Sequence, residues 1–293
     1  MNLTLWQAIL LALLQGFTEL FPISSLGHTV IVPGLLNWGD LVHDERFLPF
    51  ITALHLGTSI ALVIYFWRDW LQVCKTLFTS IKEANVQVGT EGWVSWLIII
   101  GCIPAALLGV FLEKPLKSLF ASPIIAATFL IVNGVLLFVG EWWRRRNLKK
   151  LQDMPAKEQE ILSRPLKSLK WWEAILIGFA QSLALIPGIS RSGATMVAAL
   201  GAKLSHEDAA HFSFLLGTPL IGAAALLEVP QLFHVPAATM GMILLGMVLS
   251  GIMAFLSTKF LMRYFQTGRL DPFGYYCIAV GAVSLVLFTL IIK

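Results

Sequence analysis

Apolar residues come in long runs along this chain, and polar positions interrupt them at few places. Near 48–67, 93–112, 121–143, 207–228, 237–262 and 272–292 the apolar stretch reaches the roughly 20 residues that a helix needs to cross a bilayer, which predicts six membrane-spanning helices. Two further apolar runs stop earlier, at Pro22 and at Pro187-Gly188, and each is followed by small polar residues and a renewed apolar segment. Proline ends or kinks a helix because it cannot donate the backbone hydrogen bond. Each unit therefore reads as a helix, a break and a second helix, a broken-helix hairpin. A third pattern, WLQVCKTLFTSIK at 70–82, sets Leu71, Cys74, Leu77, Phe78 and Ile81 on one face, with Lys75, Thr79 and Lys82 elsewhere. It predicts a helix lying flat at the membrane surface.

The two broken units are related. Moving the first by 166 positions aligns WQAILLALLQGFTELFPISSLG (6–27) with WEAILIGFAQSLALIPGISRSG (172–193) without a gap. Trp6, Ala8, Ile9, Leu10, Gln15, Ile23, Ser24 and Gly27 meet identical residues, and the matched Trp, Gln, Ser and Gly do not follow from shared hydrophobicity. A shorter echo, LGT, occurs at 56–58 and 216–218. The fold expected is an all-α polytopic membrane protein of two inverted-topology repeats, 1–143 and 171–293, each a re-entrant hairpin plus three transmembrane helices. The polar, basic segment 144–170 joins them. The parity of crossings is the same if the hairpins span fully, so the pattern leaves that choice open.

Composition supports the membrane assignment. The chain is 57% hydrophobic and 13% charged with a mean hydropathy of +0.78, more apolar surface than one soluble core could bury. No basic region or small-residue cleavage pattern precedes Glu19, so the first helix reads as retained. Cys74, Cys102 and Cys277 are odd in number and far apart, which suggests neither a disulfide framework nor a metal motif. The net charge of +4 lies mostly in loops on one side: Arg68, Lys75, Lys82, the nine basic residues of 144–170, Lys203, Lys259, Arg263 and Arg269. Arg46, Lys114, Lys117 and Lys293 fall on the other, with Arg191 inside the membrane. By the positive-inside rule the linker is cytoplasmic and both termini face outward. Nothing in this distribution points to nucleic acid.

Polar residues at membrane depth carry the candidate chemistry. Glu19 follows Gln15 by one helical turn, and a carboxylate there costs roughly 2.5–3.5 kcal/mol unless paired, hydrated or metal-bound. After the first break Ser24, Ser25, Gly27 and His28 open a helix; after the second, Ser190, Arg191, Ser192 and Thr195 do. Helix amino termini offer free N–H groups to anions, and arginine adds a bidentate donor fork suited to phosphate. Taken singly, Ser24, Ser25 and Ser190 would be helix caps. Their coincidence with Glu19, His28 and Arg191 favours a diphosphate site. His55 and His211 read as packed residues within spans, and His43, His206 and His234 as loop or helix-end residues. Asp40, Asp44 and Glu45 read as a solvated acidic group, SHED at 205–208 as a helix start capped by Ser205, and Trp142, Trp143, Trp171 and Trp172 as interfacial anchors.

QGFTELFPISSLGH (15–28) together with PGISRSGAT (187–195) resembles the undecaprenyl-diphosphate phosphatase family, often called the bacitracin-resistance proteins, over essentially the whole chain. The resemblance implies hydrolysis of undecaprenyl diphosphate to the monophosphate and phosphate at the outer side of the bacterial cytoplasmic membrane, recycling a lipid carrier for peptidoglycan synthesis. It also implies a divalent cation, Mg²⁺ or Ca²⁺. By position the family's motifs fall on Gln15 and Glu19, on Ser24, Ser25, Gly27 and His28, and on Pro187 to Thr195. The first motif position is glutamine here, so Gln15 receives a metal-binding but no acid–base role. Glu19 with the cation and Arg191 would stabilise charge, and Ser190, Ser192 and Thr195 would bind phosphate. Ser25 is the first candidate to attack, with His28 accepting its proton; attack by His28 or by a water it activates is the alternative.

A transporter or flippase of an anionic polyprenyl lipid is the competing class, since inverted repeats with broken helices also describe carriers. It needs no nucleophile. The type-2 phosphatidic acid phosphatases would require a histidine six residues after the arginine, where this chain has Val197. The sequence leaves the oligomeric state open, a homodimer included.

Overall fold

The computed structural model describes residues 3–42, 44, 47–117, 122–152, 164–232 and 237–291. His43, Glu45, Arg46, His234, Lys293 and linker residues 153–163 lie outside the described residues. Within them all regular structure is helical: α1 (Leu5–Thr18), α2 (Ser25–Leu35), α3 (Phe47–Tyr65), α4 (Trp67–Glu83), α5 (Glu91–Lys117), α6 (Pro123–Gln152), α7 (Trp171–Ser182), α8 (Arg191–Gly201), α9 (His206–Leu232), α10 (Ala237–Tyr264) and α11 (Asp271–Val286). The stretches Glu91–Leu112, Pro123–Asn147, His206–Pro230, Met240–Tyr264 and Asp271–Leu290 are long and apolar enough to cross a membrane. The bent pair α3 and α4, which meet at 80°, brings the number to six when counted as one span. These helices fall on the six apolar runs that predict spans. Helix α6 continues to Gln152, so the first turns of the basic linker extend a span rather than leave it.

The bend at Phe66 follows from the change of pattern. Along α3 apolar residues surround the helix, whereas α4 has one apolar face, with Leu71, Phe78 and Ile81 exposed to the surroundings while Val73 and Ser80 are buried. Trp96 Nε1 donates to Ser80 Oγ at 3.0 Å and the Thr76 and Ser95 hydroxyls pair at 2.8 Å, holding α4 against α5. An unburied apolar face of this kind is the pattern expected of a helix at the membrane surface. Trp142, Trp143, Trp171 and Trp172 are likewise exposed beside the linker, as interfacial anchors are.

At 1.5 Å per residue, the 14 residues of α1 rise about 21 Å and the 11 of α2 about 16 Å, short of a hydrocarbon core about 30 Å thick. The helices α7 and α8, of 12 and 11 residues, are equally short. Each pair packs on itself as a hairpin. The outer turns of the first hairpin lie beside Trp38, Pro123 and Phe288, through the Trp6–Trp38 ring contact and the packing of Gly34. Those of the second lie beside the linker, where Arg164 bonds the Ala202 and Lys203 carbonyls and Trp93 Nε1 donates to Leu169 O at 2.7 Å. The hairpins thus enter from opposite ends of the bundle.

Helix pairing repeats between the halves. Helix α1 packs on α10 as α7 packs on α5, and α3 on α10 as α9 on α5, while α3 with α9 and α6 with α11 close the bundle across the halves. This reciprocity is consistent with the two inverted repeats. Several of these contacts use glycine: a methyl group on Gly16 would collide with Ser250 O, and one on Gly178 with Gly101 O. A buried cluster including Leu62, Leu97, Leu130, Leu137, Phe212, Phe214 and Phe265 fills the space around the second hairpin.

Gly188, at φ +103°, turns the second break where a side chain would run into Ala126 O and Leu130 N. Gly188→Ala should lower the thermal unfolding midpoint of detergent-solubilised protein, by a cost of at least about 1–3 kcal/mol. Gly89→Ala, with φ +90° but nothing within 4 Å, carries the backbone cost alone and should fall well short of it.

Candidate active site at the meeting point of two helix breaks

The two breaks touch. A Cβ on Gly27 would lie 3.0 Å from Gly188 Cα. Asn133 on α6 clamps both, donating from Nδ2 to Pro22 O at 3.0 Å and accepting from Ser190 N at Oδ1 at 2.9 Å. Ser190 and Ser192 direct their hydroxyls at Phe21 O, at 3.4 and 3.1 Å. Thr195 bonds the Arg191 and Ser192 carbonyls and the Ser213 hydroxyl. These three residues, expected to bind phosphate, bond here to backbone carbonyls and to the Ser213 hydroxyl. Both serines fix one break to the other.

Each restart is capped as its sequence requires. Ser24 Oγ accepts from Gly27 N at 3.2 Å, and Ser190 Oγ from Gly193 N at 3.1 Å. Capping sets the first residue of each following helix, Ser25 and Arg191, on the inner side of the junction. There they meet Glu19.

The Glu19 carboxylate is the hub. Ser25 Oγ donates to Oε2 at 2.5 Å and Gln15 Nε2 donates to the same oxygen at 3.0 Å, while Arg191 Nη2 lies 3.5 Å from Oε1. His55 Nε2, on α3, approaches Oε2 at 3.4 Å. Arg191 also donates from Nη1 to Ser213 O at 3.1 Å, and its fork rests against Gly217, where any side chain would displace it. Three elements of the first half and one of the second thus converge on a group with a side chain only 6% exposed, and a further helix of the second half, α9, holds the arginine. A carboxylate with an arginine and a protonatable imidazole around it can remain ionised inside the membrane.

His28 is placed differently from the expectation that it accepts the Ser25 proton. Its Nδ1 faces Ser24 O at 2.6 Å and its Nε2 faces the Tyr276 hydroxyl at 2.9 Å, so the Ser25 proton points to Glu19 instead. His55, read as a packed residue, stands at the hub; His211 pairs with Asp69 at 3.0 Å, away from it. Sequence reasoning also passed over Asn133, Tyr276, Ser213 and Gly217. Only the LGT echo hinted at one of them, Gly217, the glycine of its second copy; His55 immediately precedes the first.

Two oxygens suit a hard cation. Gln15 Oε1 is buried without a hydrogen-bond partner, and Glu19 Oε1 has only the long Arg191 contact. No group of three or more His, Cys, Asp or Glu that could hold a metal ion occurs among the described residues. A Mg²⁺-type ion is often held by one or two carboxylates plus substrate phosphate oxygens, and this donor set fits that use. Arg191 Nε is a further buried donor without a partner.

The molecule is thus an integral membrane protein with a buried hydroxyl–carboxylate–guanidinium cluster between its broken helices. The chain belongs to the family described as bacitracin resistance protein BacA, whose profile matches residues 8–283. The undecaprenyl-diphosphatase of Mycolicibacterium paratuberculosis is 44% identical to it over 299 aligned residues, covering 97% of both chains. Undecaprenyl-diphosphatase 2 of Burkholderia thailandensis is 46% identical, covering 97% of this chain and 96% of that one. The undecaprenyl-diphosphatase of Acidiphilium cryptum is 44% identical, covering 96% of each.

Removing one member of a buried ion pair strands the other, typically at about 3–5 kcal/mol. Glu19→Ala should therefore lower the unfolding midpoint more than Arg191→Ala, which leaves Glu19 its Gln15, Ser25 and His55 partners. In a double-mutant cycle followed by thermal unfolding, Glu19→Ala/Arg191→Ala should be less destabilised than the sum of the single changes.

Proposed function

We propose that this chain is an undecaprenyl-diphosphatase, hydrolysing undecaprenyl diphosphate to undecaprenyl phosphate and inorganic phosphate and so recycling the carrier for peptidoglycan synthesis. Bacitracin resistance follows from the same activity, as the family's description implies. The observation that carries the reading is the Ser25 hydroxyl donating to Glu19 beside Arg191. A carrier or flippase would need the arginine but has no use for a hydroxyl set against a base.

Phosphoryl transfer depends mainly on positioning and charge stabilisation. Arg191 has its Nε free and its Nη2 only loosely tied to Glu19, so the guanidinium can turn its donors onto the diphosphate. Ser25 Oγ attacks the terminal phosphorus as its proton passes to Glu19 Oε2. The bond to the bridging oxygen breaks, and undecaprenyl phosphate leaves with that electron pair. Water then attacks the phosphoserine; Ser25 Oγ departs, recovers the proton from Glu19, and phosphate is released with a proton lost to solvent. A divalent cation, Mg²⁺ or Ca²⁺, would be held by Glu19 and Gln15 and would neutralise charge on the phosphate oxygens. The polyprenyl tail lies among lipid-exposed helix faces.

The site belongs to the outer side of the bacterial cytoplasmic membrane. Support comes from the basic loops, which gather at one end: Arg145 pairs with Asp271, Arg164 with Glu173, and Arg144 bonds His206, which itself pairs with Glu141. That end is cytoplasmic by the positive-inside rule. The termini and the open end of the first hairpin then face outward.

Purified protein should release phosphate from undecaprenyl diphosphate with Mg²⁺ or Ca²⁺ and lose that release on chelation. Ser25→Ala, Glu19→Ala and Arg191→Ala should each lower kcat/KM by at least about a hundredfold. Gly217→Ala, which touches no substrate, should also lower it by displacing Arg191. A folded wild type that releases no phosphate would sink the reading.

A further inference from the structure

His28 is 3% exposed and both of its ring nitrogens are engaged. A carbonyl oxygen only accepts, so the nitrogen facing Ser24 O carries a hydrogen, and in the neutral ring the Nε2 lone pair accepts from the Tyr276 hydroxyl. Tyr276 comes from α11, 248 residues away, and its ring stacks on the imidazole with centroids 5.7 Å apart. Tyr276 is 40% exposed and could turn its hydroxyl outward, whereas it is spent on His28. Tyr275 beside it is 68% exposed and packs edge-on against Phe138, as an ordinary interfacial aromatic does.

The bond to Ser24 falls where the backbone needs it. Ser24 has φ +67°, in the left-handed region that disfavours a residue with a Cβ. Its carbonyl receives both the backbone N–H of His28, at 3.2 Å, and the ring Nδ1–H. The second half provides the comparison. Ser190, which corresponds to Ser24, has φ −86°, and the residue corresponding to His28 is Ala194. The histidine is present where the turn is strained and absent where it is not.

We propose that Tyr276 is a positioning residue of the hydrolytic site, acting through His28 to hold the left-handed Ser24 turn that aims Ser25 Oγ at Glu19. This rests on the reading of the site as a phosphatase with Ser25 attacking. His28 is thereby a brace for the nucleophile, and the last helix of the second half completes the first half's catalytic turn.

The test measures kcat and KM for undecaprenyl diphosphate with folding checked by thermal unfolding. Tyr276→Phe should lower kcat about five- to tenfold, the worth of one hydrogen bond, with KM within about twofold. His28→Asn places an amide N–H where Nδ1–H lies and should keep at least about tenfold more kcat than an equally folded His28→Ala. Equal losses in His28→Asn and His28→Ala, or Tyr276→Phe matching wild type, would overturn the proposal. Spectra of protein labelled with ¹⁵N-histidine give a readout independent of turnover. The signal missing in His28→Asn should be that of an Nδ1–H ring in wild type, and Tyr276→Phe should shift its Nε2. An unshifted signal overturns the brace even if no phosphate is released, whereas a shifted signal without phosphate release faults the phosphatase reading alone.

Discussion

A carboxylate held at membrane depth is the constraint around which the rest of the structure is arranged. An isolated Glu19 would be expelled or neutralised. It stays because Arg191 supplies charge and Ser25, Gln15 and His55 supply hydrogen-bond partners from three other positions. No single helix could deliver that set. Gln15 shares a helix with Glu19, but Ser25 must return on a second helix, His55 comes from a third, and Arg191 arrives from the other half of the chain.

Bringing those groups together is what the broken helices accomplish. A continuous span satisfies all its interior N–H groups and offers none to a ligand at mid-membrane. Two hairpins of short helices packed from opposite ends of the bundle bring both breaks and their helix caps into one small volume. The junction then needs its own hydrogen bonds. Asn133, Ser190 and Ser192 meet the need by capturing the carbonyls of Phe21 and Pro22. Much of the polar sequence around the second break is thus committed to making the first one stable.

This division explains what was legible in the sequence. The apolar runs of the spanning helices, the one-faced pattern of α4 and the two breaks follow from hydrophobic period and from proline, which act locally. Glu19, Ser25 and Arg191 stood out because polar groups in apolar runs are costly. The hydrogen-bond partners were not legible, since they depend on which helices meet. Nothing in the pattern around His55 separates a packed histidine from one turned to Glu19, and Tyr276 reads as one more interfacial aromatic. The partners of His28 were not legible for a related reason: its spacing from Ser25 is that of helical neighbours, but its ring nitrogens face Ser24 O and Tyr276 instead.

The substrate proposed for the site has the same divided character as the protein. Its diphosphate needs donors, a permanent cation and a path to water, while its prenyl chain needs lipid. A soluble enzyme would have to extract the tail from the bilayer before reaching the phosphates. Here the donors are carried into the bilayer instead, and the charge they bring is balanced before substrate arrives. In the proposed reaction an entering diphosphate would compete with Glu19 for Arg191, and the resting ion pair would hold the arginine in place until then. In that reading the Arg191 contact, at 3.5 Å, is the one to exchange, and the Ser25 contact, at 2.5 Å, the one along which the proton passes.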